Sequence, residues 1–146
     1  MSEDNFLEKL QNCLKDYLVD AKKKGDRLYI SKVKAEAVDK VVKALKESFG
    51  DIHVTTISAV DYIEYLEVFY DLWLHGPKVA LVLKAKVNPD RPELPSIVGV
   101  IPGALFNECE VYDLFGIIFK GNNHLKKSFI LPEHFPKDYF PLRKKR

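Results

Sequence analysis

Apolar residues recur with the helical period in two stretches near the start of the chain. Between Phe6 and Ala21 they mark one helical face, after which three lysines meet the negative end of a helix dipole and Gly25 suits a helix C-cap. This predicts a first helix that ends at Gly25. Leu28 to Ser31 predicts a short strand, and a second apolar stripe predicts a second helix that ends before Gly50. The two stripes consist of Phe6, Leu7, Leu10, Cys13, Leu14, Tyr17, Leu18 and Ala21, and of Ala35, Val38, Val41, Val42, Leu45 and Phe49.

From Ile52 the pattern changes to β-branched and aromatic residues, which predicts a meander of antiparallel strands. The predicted strands are Ile52–Ile57, Glu64–Leu74 and Val79–Val87. In the middle strand one face is wholly apolar, whereas the other carries Tyr65, Phe69 and Trp73 beside two acids. That second face is too aromatic to be simply solvated, and the sequence leaves open whether it is covered by a helix of the same chain or by a partner protein.

Pro102 is well placed to open a third helix, about 103–115, which Gly116 would close. Beyond it, prolines at 132, 136 and 141 break regular structure, so this segment must lie along its own body or along another protein. The predicted fold class is therefore α+β, with two N-terminal helices packed on a mostly antiparallel sheet, then a motif helix and an extended basic C-terminal strap. The predicted division is an α+β domain over 1–120 and the extended segment over 121–146.

Composition and charge agree with one globular domain and single out the C-terminal segment. The chain has 146 residues, of which 47% are hydrophobic and 30% charged. No secretory signal is visible, and the longest aliphatic run, Val79 to Leu83, is far shorter than the ~20 residues that span a bilayer. Residues 121–146 carry a net charge of +5 against −3 for the preceding 120. A basic segment on a mildly acidic body indicates an acidic partner, an anionic membrane surface or nucleic acid.

Few residue patterns in the chain point to catalysis. Cys13 and Cys109 lie far apart with no partner at metal-ligand spacing, so both are expected to be reduced and buried, with a cytoplasmic location as the default. No glycine-rich phosphate loop is present, and no histidine has a nucleophile signature around it. The remaining candidates are Glu110 and Asp113, predicted to share a face of the third helix, with Glu108 nearby. We interpret these acids as ion-pairing groups rather than as catalysts.

The third helix and the segment after it also resemble a known family, that of the 30 kDa subunit of respiratory complex I, the C subunit of NADH-quinone oxidoreductase. The resemblance rests on the run Glu108-Cys109-Glu110-Val111-Tyr112-Asp113-Leu114-Phe115-Gly116-Ile117, preceded by Pro95-Ser96 and Pro102-Gly103-Ala104. It continues in Gly121, Leu125-Lys126-Lys127, Ile130-Leu131-Pro132-Glu133 and Pro141-Leu142-Arg143-Lys144. Two positions depart from the family pattern: Cys109 replaces an Arg, and Asn122-Asn123 replaces a His-Pro pair. The shortness resembles forms found in membrane-bound [NiFe] hydrogenase-type complexes.

The resemblance implies a non-redox accessory and assembly subunit of the peripheral arm of a complex-I-like energy-converting oxidoreductase. Such a subunit docks on the hydrogenase-like large (49 kDa-type) subunit, beside the small iron-sulfur subunit, and supports electron transfer coupled to ion translocation. It implies that this chain binds no cofactor, since iron-sulfur clusters and any NiFe centre belong to partner subunits. It also implies that the chain binds no nucleic acid. It implies a peripheral position on the cytoplasmic side of the membrane, with membrane contact only through partners. The implied subunit-binding residues are Glu108, Glu110, Tyr112, Asp113, Phe115, Lys126, Lys127, Pro141, Leu142, Arg143 and Lys144.

Two alternatives of other classes stay open. The first is a small nucleic-acid-binding module that uses the basic C-terminal segment and the aromatic residues near it, Phe129, Phe135, Tyr139 and Phe140. The second is a free-standing enzyme that uses Glu108, Glu110 and Asp113. A salt-dependent gel shift with RNA would favour the first, and turnover by the purified chain would favour the second.

Overall fold

The computed structural model confirms the α+β class. It describes residues 3–125, 131, 133–134, 136 and 139–144. The elements are α1 (Glu3–Cys13), β1 (Leu18–Gly25), β2 (Leu28–Val33), a 3₁₀ turn (Ala35–Ala37), α2 (Val38–Phe49), β3 (Ile52–Asp61), β4 (Leu66–Leu74), β5 (Val79–Val87), β6 (Glu93–Pro95), a second 3₁₀ turn (Pro102–Ala104), α3 (Leu105–Phe115) and β7 (Ile118–Lys120).

The main sheet has five strands in the order β1-β2-β5-β4-β3. Its neighbouring strands pair antiparallel except β2 and β5, which are parallel, so the predicted mostly antiparallel sheet is confirmed. The predicted meander is its β3-β4-β5 half, with β3 four residues longer than expected because it pairs with β4 as far as Asp61 and Leu66. The short strands β6 and β7 pair separately in parallel.

The helices bury one face of this sheet. The predicted apolar face of β4 is fully buried, as is Leu81 on β5 beside it. Rings from three elements meet in this core: Phe6 of α1 lies 4.5 Å from Tyr29 of β2 and 5.1 Å from Phe49 of α2, measured between centroids. Residues of α3 join the same cluster. Three helices and one sheet face therefore share a single core.

On the opposite face of the sheet, lysines cover part of the aromatic surface. The ammonium of Lys84 lies 5.4 Å from the centroid of the Phe69 ring, and that of Lys86 lies 4.3 Å from the Tyr65 ring. These lysines come from β5, the strand next to β4. A cation above a ring gains from the ring quadrupole while its stem covers apolar surface. The sequence left open whether a helix or a partner protein covers the aromatic face of β4. The structure adds that lysines of the neighbouring strand cover part of it.

The predicted first helix is wrong in its second half. α1 ends at Cys13, and residues from Leu18 to Gly25 form β1, an edge strand that pairs antiparallel with β2. Gly25 closes this hairpin opposite Leu28 and is not a helix cap. Pairing with β2 outweighs the helical spacing, and the three lysines lie on an exposed edge strand, where they hinder pairing with a foreign strand.

The second and third helices agree with the prediction. A 3₁₀ turn leads into α2, which ends before Gly50. Pro102 opens a 3₁₀ turn that leads into α3, and Gly116 closes α3 in the left-handed conformation with φ of 75°. Cys109 is buried as expected, whereas Cys13 is only half-buried, and neither forms a disulfide.

Candidate functional site

The acids of α3 lie in two different environments. Glu108 and Asp113 are fully buried in the chain, and Glu110 is exposed. Glu110 and Asp113 both lie on α3 and, three positions apart, differ by only about 60° around the helix. The boundary between the buried and the exposed side of α3 passes between them. The two buried acids therefore need partners inside the molecule.

Glu108 holds together three segments that are separate in sequence. Its Oε1 accepts hydrogen bonds from Ser96 Oγ at 2.6 Å and from Asn122 Nδ2 at 3.0 Å, and its Oε2 accepts one from the backbone N–H of Ile97 at 2.9 Å. The 96–97 turn leads towards α3 and Asn122 follows β7. One carboxylate thus fixes the turn before α3 and the chain after β7 relative to the helix.

Burial dominates the electrostatics of this carboxylate. Loss of solvent raises the pKa of Glu108, although the hydrogen bonds from Ser96, Ile97 and Asn122 each oppose the shift. The charge of Glu108 also acts on a residue of the sheet. Burial raises the pKa of Tyr70 on β4, and the negative charge of Glu108 raises that pKa further. The phenol is therefore neutral beside Glu108.

Asp113 binds the backbone beyond β7. Its Oδ2 accepts a hydrogen bond from the N–H of Leu131 at 2.7 Å. Both buried acids of α3 therefore receive backbone N–H groups from loops. The ion pairing predicted for these acids from the sequence stays a prediction.

Asp61 is a third buried acid in this region, and no motif in the sequence singles it out. It ends β3, and its side chain binds two segments at once. Oδ1 accepts a hydrogen bond from the N–H of Ile63, and Oδ2 accepts one from the N–H of Lys144, both at 2.7 Å. The guanidinium Nε of Arg143 forms an ion pair with Oδ2 at 3.7 Å. Nothing local distinguishes this aspartate from the many that begin turns.

Residues 139–144, here called the tail, satisfy the open end of α3. The last carbonyl groups of a helix lack partners within it. The N–H of Leu142 donates to the carbonyl of Leu114 at 3.1 Å, and Arg143 Nη1 donates to that of Phe115 at 3.2 Å. Arg143 Nη2 also donates to the carbonyl of Pro89 at 2.9 Å. The tail therefore caps the C-terminal end of α3.

The tail also packs closely on the glycine that ends α3. A Cβ added to Gly116 would lie 2.9 Å from the ring of Phe140, so a side chain at this position would displace that ring. The ring of Phe140 lies 6.4 Å from that of Tyr112, edge to face. Gly116 thus meets two demands, a positive φ and a close approach by the tail.

The structure brings most of the predicted site residues together, but not on one surface. Glu108, Asp113 and Phe115 are buried; Tyr112, Pro141 and Arg143 are half-buried; Glu110, Leu142 and Lys144 are exposed. Lys126 and Lys127 lie outside the described residues, as do Phe129 and Phe135 of the nucleic-acid alternative. Phe140 of that alternative packs within the chain. Subunit binding by these residues stays a prediction, but the buried ones have a role inside the molecule.

The missed partners of Glu108 were partly visible in the sequence. Asn122 occupies the position where the resemblance departs from its family pattern, and its amide donates to Glu108. Ser96 was noted only as part of a Pro-Ser pair. Their meeting depends on the β6–β7 pairing, which places Ser96 beside Lys120 through an N–H to carbonyl hydrogen bond of 2.7 Å. No local signal predicts two three-residue strands.

The part of the chain that the structure describes also contains a cleft away from α3. A cleft of about 410 Å³ is lined by Lys46, Asp51, Ile52, His53, His75, Val100, Ile101 and Pro102, and none of the three acids of α3 lines it. No group of three or more His, Cys, Asp or Glu side chains within the described ranges could hold a metal ion. Of the helices in the same ranges, none is long and apolar enough to cross a membrane.

The architecture recurs in a respiratory membrane assembly. A chain of the membrane-bound sulfane sulfur reductase, an archaeal respiratory membrane complex, superimposes with a TM-score of 0.80 at 24% identity, covering 95% of this chain and 84% of that one. The two chains therefore share one fold.

The profile of the family "Respiratory-chain NADH dehydrogenase, 30 Kd subunit" matches residues 31–146. The chain belongs to this family, and the resemblance found in the sequence is confirmed. The C subunit of F420H2 dehydrogenase from Methanosarcina mazei is 38% identical over 120 residues, 81% of this chain and 73% of that protein. The C subunit of NADH-quinone oxidoreductase from Moorella thermoacetica is 35% identical over 145 residues, 97% of this chain and 93% of that protein.

The family extends to hydrogenase-type complexes, as expected from the sequence. Hydrogenase-4 component G of Escherichia coli is 37% identical over 78 residues, which make up 53% of this chain and 14% of that protein. Relatives of this chain are thus subunits of complex-I-like and of hydrogenase-type oxidoreductases.

Proposed function

We propose that this chain is a non-redox accessory and assembly subunit in the peripheral arm of a complex-I-like energy-converting oxidoreductase. It docks on the hydrogenase-like large subunit, beside the small iron-sulfur subunit, on the cytoplasmic side of the membrane. Its contribution is to hold that large subunit in place while the partners carry the electrons. The iron-sulfur clusters, and any NiFe centre, belong to those partners.

Family membership over residues 31–146 carries this proposal. The relatives named above are called subunits or components of oxidoreductases that differ in electron donor, F420H2 in one and NADH in another. A subunit shared by enzymes with different donors fits a role in assembly better than one in donor oxidation.

The geometry of α3 supports the same role. Glu108 and Asp113 use their carboxylates on backbone N–H groups of their own chain, which suits structural anchors rather than general acids and bases. Glu110 faces outward from the same helix and is available to a partner. The motif helix therefore presents one side to its own core and tail and the other to the complex.

Affinity purification from solubilised membranes tests the proposal. A tagged copy of the chain, expressed in its source organism, is expected to recover the large subunit and the small iron-sulfur subunit, identified by mass spectrometry. Glu110→Lys reverses an exposed charge on α3 and is expected to reduce recovery of the large subunit. Glu47→Lys, an equally exposed change on α2, is the matched control and is expected to recover wild-type amounts.

Two results would contradict the proposal. If the wild-type chain purifies without either partner, the assembly role fails. If the chain instead turns over a substrate alone, and Glu108→Gln abolishes that turnover without changing the melting temperature, the enzyme alternative is correct. The relatives named above give no support to the nucleic-acid alternative, which would require salt-dependent retention of RNA by the purified chain.

A further inference from the structure

A cavity lies on the face of the main sheet opposite the helices. Its volume is about 320 Å³, and aliphatic side chains of β1 and β2 line part of it. The site is here called the lysine cavity, and the charged side chains that line it are Lys32, Lys34, Lys84, Lys86, Glu36 and Glu67. Four positive and two negative charges leave a net charge of +2 around it. This excess of positive charge favours an anionic occupant.

Glu67 of β4 is a buried acid that its own chain leaves without a partner. The residue is only 6% exposed, and its side chain lines the lysine cavity. Within the described part of the chain, its carboxylate has no hydrogen-bond donor and no ion-pair partner. A carboxylate that loses most of its water without gaining a donor costs free energy. The donor that Glu67 lacks can reach it through the cavity.

The lysine best placed to pair with Glu67 is turned to an aromatic ring. Lys86 lies directly opposite Glu67 in the antiparallel β4–β5 ladder, where unlike charges usually attract each other. Its ammonium instead lies 4.3 Å from the centroid of the Tyr65 ring. An aromatic ring attracts a cation but does not neutralise it. Lys86 therefore keeps its charge and its N–H donors for another group.

Two further lysines lie side by side at the same cavity. Lys32 of β2 is opposite Lys84 of β5 in the parallel ladder, and the two side chains share one face of the sheet. Neither of them forms an ion pair with an acid among the described residues. Like charges on neighbouring strands repel each other, which destabilises the pair. An anionic group bound between the two lysines would offset this repulsion.

The lysines and Glu67 place different demands on an occupant. The lysines favour negatively charged acceptors, whereas Glu67 favours a hydrogen-bond donor. A peptide segment that carries Asp or Glu supplies both, because its side chains accept and its backbone N–H groups donate. A phosphate diester group, in a lipid or a nucleic acid, offers acceptors alone, and its charge would face Glu67. The cavity therefore suits an acidic peptide segment better than a phosphate.

We propose that the lysine cavity binds an acidic segment of another subunit of the complex, whose carboxylates face Lys32 and Lys84 and whose N–H group donates to Glu67. The inference rests on the proposed function and adds a second place of contact to it. This contact lies on the opposite face of the sheet from α3, so it is separate from the exposed Glu110.

Zero-length cross-linking of the intact complex tests the place and the chemistry together. The complex is purified from solubilised membranes through the tagged chain and treated with a carbodiimide, which joins an amine to a carboxyl group that it touches. Mass spectrometry is expected to find Lys32 or Lys84 joined to an Asp or Glu of another subunit. If other lysines are linked between subunits and none of the four cavity lysines is, the proposal is wrong.

Charge substitutions test the same contact by the amount of that subunit recovered per tagged chain. Lys32→Glu is expected to lower its recovery by about tenfold, because a carboxylate of the partner then meets a like charge. Lys43→Glu, the same change at an exposed position on α2, is the matched control and is expected to recover wild-type amounts.

Glu67→Gln separates binding from folding. It keeps the size of the side chain and removes no hydrogen bond or ion pair that the structure gives to Glu67. The melting temperature of the purified chain is therefore expected to stay close to that of the wild type. Recovery of the partner subunit is expected to fall, because its N–H group then loses a charged acceptor.

Three results would contradict the inference in different ways. Wild-type recovery with both Lys32→Glu and Glu67→Gln would overturn the cavity as a docking site while leaving the proposed function intact. Failure of the wild-type chain to recover any other subunit would overturn the proposed function itself. If the purified chain sediments with phosphatidylglycerol vesicles, and Lys32→Glu abolishes this binding but leaves recovery unchanged, the cavity faces a lipid surface and the proposal is wrong.

Discussion

The β3-β4-β5 meander and the tail are joined to the same core by different chemistry. The meander is held by continuous backbone pairing and by a face of fully buried aliphatic side chains. The tail is held by a few point contacts, in which backbone N–H groups and one guanidinium reach buried carboxylates and helix-end carbonyl groups. Apolar burial in the meander is spread over many residues, whereas the tail is attached through polar contacts of Arg143 and Asp61 and through the ring of Phe140.

This difference shows where the molecule can change without unfolding. A segment attached by a few polar contacts can open locally at a fraction of the global free energy of unfolding. Loss of the tail contacts is therefore expected to leave the sheet intact. Substitutions in the two regions should accordingly separate stability from attachment.

The largest effect is expected in the meander. Leu81→Ala removes a fully buried side chain from β5, the strand paired with both β4 and β2. The free energy of unfolding should fall by about 3 kcal/mol from lost burial and the cavity left behind. Urea denaturation followed by circular dichroism measures it. Val19→Ala, at an exposed position, should change the free energy of unfolding by less than ~0.5 kcal/mol. A loss at Val19 as large as that at Leu81 would show that burial in the meander is not what stabilises the chain.

The next largest effect is expected at Asp61. Asp61→Ala removes the acceptor for Ile63 and Lys144 and the charge opposite Arg143, and should cost about 2 kcal/mol. Limited trypsin digestion should release the chain end after Arg143 faster than in the wild type. Asp51→Ala removes an exposed carboxylate and serves as control. An unchanged digestion rate in Asp61→Ala would show that the carboxylate does not hold the tail.

A smaller effect is expected at Gly116. Gly116→Ala places a Cβ at positive φ and against the ring of Phe140, and should cost about 1 kcal/mol. The substitution should cost less in a Phe140→Ala background, because the ring contact is then absent. Gly99→Ala, where a Cβ meets nothing within 4 Å, is the control. Equal losses of stability in both backgrounds would show that the positive φ alone destabilises Gly116→Ala.

The smallest effect concerns the pH dependence of stability at Glu108. Its pKa in the folded chain is raised above the ordinary value of 4.5, so the folded chain binds the proton more tightly than the unfolded chain. The stability that protonation contributes is present in full below pH 4.5 and is lost as the pH rises through the raised pKa. Urea titrations from about pH 4 to 7 should show this loss in the wild type and not in Glu108→Gln. Parallel curves for the two proteins would contradict it.

The sequence-based predictions are also more accurate for elements held by apolar burial than for segments held by long-range contacts. Strands β3 to β5 and α2 follow from the period of their apolar residues, because the core that buries them is itself apolar. The third helix follows from Pro102 and Gly116 at its two ends. The first helix was predicted too long, because the pairing of β1 with β2 is a long-range contact that the spacing of Leu18 and Ala21 does not reveal.

The candidate site could be predicted only as a set of positions. The sequence pointed to Glu108, Asp113 and Arg143 but not to their partners, since Ser96, Asn122, Pro89 and Asp61 reach them through tertiary structure alone. Buried carboxylates that bind backbone N–H groups have no sequence signature, because every residue except proline offers that donor. The internal hydrogen bonds of Glu108 and Asp113 are therefore visible only in the tertiary structure.

The parallel pairing of β2 with β5 constrains the order in which the chain can fold during synthesis. Leu28 to Lys32 pair with Ala80 to Lys84, so the N-terminal hairpin has no sheet to join until β5 has left the ribosome. The nascent β1–β2 hairpin can pack against α1 and α2, as Phe6 does on Tyr29, but the backbone edge of β2 stays unpaired while about fifty further residues are translated. In that interval the edge is open to pairing with another chain.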